Sequence, residues 1–110
     1  DYSITAGKLI NEFETDEPSS NKKYWDKVIL VDGMVKDVPK DDRGLYSVIL
    51  GDMASMSSVR CSMDSIHNHE AAAIKKGDRL ALKGICAGFN GDEMLGSDVI
   101  LVRCAVYSKK

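Results

Sequence analysis

Hydrophobic and polar positions alternate along most of this chain, and their spacing divides it into seven elements. Over residues 5–13, Ala6, Leu9, Ile10 and Phe13 share one helical face and Thr5 can cap the N-terminus, which predicts a short amphipathic helix. Residues 16–23 carry Pro18, Ser19, Ser20 and Asn21 and read as a polar connector. Residues 27–38 are rich in β-branched side chains, with Ile29, Val31, Gly33 and Val35 of one parity and expected to face inward. A glycine in mid-strand, as at Gly33, marks a bulge or sharp bend. Residues 39–44 have turn composition. A second strand follows over 45–50, with Tyr46, Val48 and Leu50 on its inward face. After a small-residue loop at 51–57, a third strand over 58–63 alternates cleanly, Val59, Cys61 and Met63 against Ser58, Arg60 and Ser62. Asp64 or Ser65 can cap a helix over 66–75, and Gly77 stands where a left-handed C-terminal residue is expected. The fourth strand, 78–89, sets Leu80, Leu82, Gly84, Cys86 and Gly88 on one parity. A turn at 90–98 leads to the fifth strand, 99–107, whose nearly continuous apolar run hides which face points inward.

A helix followed by β–β–β–α–β–β, with two curled glycine-bearing strands, predicts a mainly β fold. It is the five-stranded OB-fold Greek-key barrel, with a helix between strands three and four and a short N-terminal helix. A small sandwich or an SH3-like barrel is the alternative, but the helix after strand three suits those less well. At 110 residues the chain can bury roughly two thirds of its unfolded surface, enough for one core. Residues 1–23 then form an N-terminal helix and linker, and residues 24–110 the barrel, within a single domain. No run approaches the ~20 apolar residues of a membrane-spanning helix.

The segments 27–35 (KVILVDGMV), 59–63 (VRCSM), 77–89 (GDRLALKGICAGF) and 98–106 (DVILVRCAV) together resemble the tRNA-anti-like family. This is a group of OB-fold domains found largely in bacterial secreted proteins and lipoproteins. The spacing of Lys83, Gly84, Cys86 and Cys104 is the most specific part of the likeness, which covers residues 24–107. The resemblance implies an OB barrel, nucleic-acid binding by analogy with anticodon-binding domains, and a bacterial envelope or secreted location. A leader with a lipid anchor would precede Asp1 in that case.

Charge changes this picture. The formal net charge is −2, whereas strong nucleic-acid binders draw affinity from an excess of Lys and Arg. The outer face of the strands nevertheless shows Lys36, Ser47, Arg60, Ser62 and Lys83, a set that fits a phosphate track or an ordinary solvated sheet. Ile49 shares that outer parity. Aromatics make up only 6% of the chain. Trp25 and Phe89, near strand ends, are candidate rim residues or closures of the core.

Catalytic chemistry finds little support. His67 and His69 are two apart and diverge on a helix, so no metal site is expected. The serines sit without a glycine-flanked nucleophile turn, and no cofactor is implied. Cys61, Cys86 and Cys104 lack Cys-x-x-Cys spacing. Cys86 and Cys104 lie at similar distances from the turn joining strands four and five and are the candidate disulfide pair, the alternative being three reduced core thiols. Closing that loop of about 18 residues would contribute on the order of 3 kcal/mol. The expectation is a non-enzymatic binding module for single-stranded nucleic acid or another polyanion. The alternative is an envelope protein- or glycan-interaction domain, suggested by the acidic balance and by Met53 and Met56 in the 51–57 loop.

Overall fold

The computed structural model describes residues 2–51, 56–91 and 96–109. In chain order they form β1 (Tyr2–Thr5), α1 (Ala6–Thr15), α2 (Glu17–Tyr24), β2 (Val28–Asp37), β3 (Ser47–Leu50), β4 (Ser58–Met63), a 3-10 helix (Asn68–Ala73), β5 (Arg79–Asn90) and β6 (Asp98–Lys109). Strands β2, β3, β4, β6 and β5 follow one another around a ring that closes through β2–β5 pairing. Every pairing in the ring is antiparallel except β4–β6. This is the closed OB barrel that the element order predicts. The connections at 51–57 and 90–98, Met53 among them, fall partly outside the described residues.

The predicted inward parity of β2 to β4 holds in the core. Ile29, Val31, Val35, Val48, Leu50, Val59 and Cys61 have no solvent exposure. Helix α1 lies against β2, β4 and β6. It delivers Leu9, Ile10 and Phe13 to the same core. Gly33 permits this approach, because a Cβ there would stand 3.0 Å from Ala6 Cβ.

Three elements differ from the pattern. Residues 16–23 are mostly helical rather than a connector. Asp16 caps α2 by accepting from Ser19 N at 3.2 Å, Pro18 sits in the first turn, and Lys22 and Lys23 occupy the last turn. These end effects suit the helix macrodipole and outweigh a composition poor in apolar residues. The hydroxyls of Ser20 and Tyr24 then donate to Glu12, at 2.8 Å to its carbonyl and 2.9 Å to its carboxylate, tying α2 to α1. The helix expected over 66–75 contracts to the 3-10 turns of Asn68–Ala73. Its alanines give little to bury, and Ile66 stays 74% exposed. Strand β1 has no counterpart in the sequence pattern; it pairs in parallel with β2 from Tyr2 beside Ile29 to Thr5 beside Asp32.

The two long strands settle the ambiguous parity of the last one. Val99, Leu101 and Cys104 are fully buried, so the inward run skips one residue. The break is a β-bulge, with Arg103 at φ 54°. Ile85 faces Val102 and Lys83 faces Ala105, leaving Arg103 and Cys104 opposite Gly84. At that point the Cys104 sulfur fills the space where a Cβ on Gly84 would stand. A second shift lies between Cys86 and Gly88. It sets Gly88 opposite Ile100, outside the barrel rather than on the inward parity expected for it.

Gly84→Ala therefore overpacks the core and is expected to cost about 1–3 kcal/mol in urea unfolding. In a Cys104→Ala background the same substitution should cost much less. Equal costs in both backgrounds would contradict the close approach.

Candidate ligand-binding face

The OB face that other domains use lies across the second and third barrel strands, here β3 and β4. Pairing sets Ser47 opposite Ser62 and Ile49 opposite Arg60. Arg60 is exposed, whereas Ile49 retains only 9% of its surface. The guanidinium thus stands on a face of hydroxyls beside a nearly buried isoleucine. The structure brings Ser47, Arg60 and Ser62 together as expected.

Lys83 does not join them, and Lys36, in the β2–β3 bulge beside Leu50 and Ile49, turns its ammonium to the hairpin end of that face. Lys36 Nζ donates to the Ser57 carbonyl at 3.1 Å, at the far end of β2. Ser57 Oγ in turn donates to Glu14 Oε2 at 2.9 Å and accepts from Ser97 N at 3.1 Å. Lys83 faces Leu30 on one side and Ala105 on the other, so it belongs to the β2–β5–β6 wall. Parity separates outside from inside, but it does not fix position around the circumference, which depends on strand order.

The rim aromatics divide as well. Trp25 is 55% exposed. Phe89 stacks on the buried Phe13 ring at 5.2 Å between centroids and closes the core. Beside it, Phe13, Glu14, Glu17, Met56, Ser57 and Phe89 line a cleft of about 570 Å³. Its two glutamates make it a poor place for a phosphate.

The first loop of the barrel is anchored by one side chain. Asn68 Oδ1 accepts from Tyr46 N at 2.7 Å and its amide donates to the Gly44 carbonyl at 2.8 Å. Two residues on, Glu70 Oε1 accepts from Val106 N at 2.9 Å and Oε2 lies 3.0 Å from His67 Nδ1. His67 and then the Val106 amide hold the Glu70 carboxyl below its usual range. The histidine is thus engaged with a carboxylate. Among the described residues no three His, Cys, Asp or Glu side chains group to hold a metal.

All three cysteines are free and buried. Of the two alternatives for Cys86 and Cys104, the bridge is not formed: the register shift between Cys86 and Gly88 sets Leu101, three residues before Cys104, opposite Cys86. Cys104 packs toward Cys61 on β4 instead. Its thiol, with burial, pushes Cys61 well above the usual range, and burial alone raises Cys86. Raised thiols are poor nucleophiles.

Sequence reasoning missed Tyr2, Arg103 and Tyr107 as surface groups. Tyr107 is 64% exposed and Arg103 is also exposed. The apolar run of β6 gave no parity signal for Arg103 and Tyr107, and the bulges that turn those two outward are set by pairing; Tyr2 lies on β1, which the sequence pattern does not mark.

The family model described as tRNA_anti-like matches residues 1–106, so it takes in the N-terminal helices along with the barrel. A search of curated proteins finds no match. Among solved structures, the chain is similar to a "putative nucleic acid-binding lipoprotein" from Klebsiella pneumoniae, with a TM-score of 0.69 and 16% identity over 94% of this chain and 90% of that one. It is also similar to the OBody AM3L09 bound to hen egg-white lysozyme (TM-score 0.58, 15% identity, 80% of this chain and 88% of that one). A third likeness is to Entamoeba histolytica asparaginyl-tRNA synthetase in complex with asparaginyl-adenylate. Its TM-score is 0.50 at 15% identity, covering 77% of this chain and 21% of that one. At these identities the structural likenesses establish the shared fold. No helix among the described residues is long and apolar enough to cross a membrane.

Because the folded state depresses the Glu70 pKa, its bonds add stability above the unfolded carboxyl value and lose it as pH falls through the folded one. The urea midpoint should therefore drop between about pH 5 and 3 more steeply in the wild type than in Glu70→Gln. Parallel pH profiles would show that the carboxylate does not hold the 3-10 helix to β6.

Proposed function

The chain belongs to the tRNA_anti-like family, and on that premise we propose a non-enzymatic OB-fold module that holds single-stranded nucleic acid, or a polyanion of like charge, against the outside of its barrel. The observation that carries this reading is the exposed Arg60 beside the Ser47–Ser62 pair, at the centre of the face OB domains use for oligonucleotides. Hydroxyls and a guanidinium suit phosphate oxygens, since Arg offers a planar fork of donors and Ser a single one. The likeness to the K. pneumoniae protein named a "putative nucleic acid-binding lipoprotein" supports the same ligand class and a bacterial cell-envelope location. With no Cys86–Cys104 bridge, the location draws no support from disulfide chemistry. Non-catalytic function is supported by thiols with raised pKa values and by the engagement of His67 with Glu70.

The acidic balance sets the expected strength. A net charge of −2 favours weak, salt-sensitive contact rather than tight non-specific binding. A protein or glycan partner is the second reading. One observation favours it: Met56, 62% exposed, stands at the lip of the cleft floored by Phe13 and Phe89. Methionine there suits an adaptable apolar contact. The OBody bound to lysozyme shows that an OB barrel can seat a protein.

Fluorescence anisotropy with a labelled single-stranded oligonucleotide at two salt concentrations tests the main reading. Binding should weaken with salt, and Arg60→Ala should reduce the slope of log affinity against log salt by about 0.7, the value for one lost phosphate contact. No salt-sensitive binding up to roughly 100 μM, the weak limit of non-specific association, would refute it. Capture of an envelope protein that is lost on Met56→Glu would favour the second reading.

A further inference from the structure

The aromatic side chains that remain in solvent stand on the β2–β5–β6 wall or, for Tyr2 of β1, at its β2 margin. Trp25 is 55% exposed, Tyr107 64% and Tyr2 36%. Trp25 lies over Gly88 of β5, its ring 3.6 Å from where a Cβ would be. Gly88 faces Ile100, and the bulge beside it turns both outward. The next row across the wall is Val28, Ile85 and Val102, and the one after is Leu30, Lys83 and Ala105. Tyr107 stands at a second bulge of β6, where the register jumps from Ser108 to Val106. Bulges re-aim side chains, and here two of them present Arg103 and Tyr107 to solvent. Tyr2, Ser3, Val28, Leu30, Lys83 and Tyr107 line a groove of about 350 Å³ at that end. Such a volume falls within the roughly 300–1,000 Å³ of small-ligand sites.

This wall has the composition the β3–β4 face lacks. Single-strand binders combine flat rings for base stacking with cations for the backbone. Here Trp25 at one end and Tyr107, with Tyr2 across the groove, at the other bracket an aliphatic floor, and Lys83 and Arg103, both exposed, stand along it. From Gly88 to Lys83 the track runs five residues of β5, about 17 Å at strand rise. Asp26 and Asp32 lie at its margins, and Lys23, ion-paired with Glu12 at 3.4 Å, sits 5.7 Å from the Tyr2 ring centroid. A symmetric contact with a second copy across this floor would bring Lys83 toward its own counterpart, which like charge opposes.

We propose that the β2–β5–β6 wall is a stacking track for single-stranded nucleic acid, with bases on Trp25 and Tyr107 and backbone phosphates at Lys83 and Arg103. The inference rests on the nucleic-acid reading above and adds a second contact surface to it. Trp25 is the only tryptophan in the chain, so its emission reports this wall alone. The experiment titrates the full chain with unlabelled oligo-dT while Trp25 emission is read, and in parallel measures anisotropy with labelled oligo-dT for wild type, Tyr107→Ala, Lys83→Ala and Arg60→Ala. Circular dichroism confirms that each variant is folded. Saturable change of Trp25 emission at the anisotropy midpoint, with roughly 5- to 150-fold weaker binding in Tyr107→Ala, is the expected result. Lys83→Ala should lower the salt slope by about 0.7. Anisotropy binding with unchanged Trp25 emission and wild-type affinity in Tyr107→Ala and Lys83→Ala overturns the track while leaving the nucleic-acid reading in place. Absence of any anisotropy change overturns both.

Discussion

The close passage of the Cys104 sulfur over Gly84 is the contact on which the barrel turns. A ring of only five strands closes only if its long strands coil steeply, and β5 and β6 must bend while staying paired over most of their length. Glycine at 84 lets the thiol occupy the position a side chain would claim. The bulge at Arg103 then takes up the extra residue and raises the local twist. Cys104 packs inward toward Cys61 of β4, at the parallel junction that completes the ring. A single constraint thus joins closure, curvature and the direction of every side chain along β6.

That last consequence links the core to the surface. Without the bulge, alternation would carry Arg103 inward after Leu101, and a charge would face the core at prohibitive cost. With it, Arg103 points out beside Val102, and Tyr107 emerges at the next irregularity. The barrel therefore presents two unlike faces. Around β3 and β4 lie hydroxyls and one guanidinium; around β2, β5 and β6 lie rings, aliphatic carbon and lysine. Between them, at the end capped by α1, the glutamate-lined cleft repels what either face would attract. On the proposed reading, anion contact falls on the sides of the barrel, in keeping with this arrangement of charge.

Much of the architecture was legible in the chain because it rests on local rules. Alternation at Val59, Cys61 and Met63, parity at Ile29, Val31 and Val35, and the turn at 39–44 report their environment through period and composition. Helix α2 was hidden because its stability comes from Asp16, Pro18 and the terminal lysines rather than from an apolar stripe. The surface sites were only half legible. Parity placed Arg60 and Lys83 outside correctly, yet strand order around the ring put them on different walls. Tyr107 and Arg103 were overlooked because a bulge shifts register by one residue, and an unbroken apolar run carries no mark of where the shift falls. Cys86 and Cys104 miss each other because the register set by Asn90 opposite Asp98 brings Val102 toward Cys86, and the shift beside Gly88 then moves it on to Leu101.

Amide shift mapping on ¹⁵N-labelled protein titrated with single-stranded oligonucleotide addresses the central claim, that ligand meets the sides of the barrel and leaves its core and its acidic end untouched. The account predicts shifts at Arg60 and Ser62 and along Lys83, Arg103 and Tyr107, with Val31, Leu82 and Glu14 unmoved. Shifts gathered around Glu14, Met56 and Phe89, or none at saturating oligonucleotide, would contradict it.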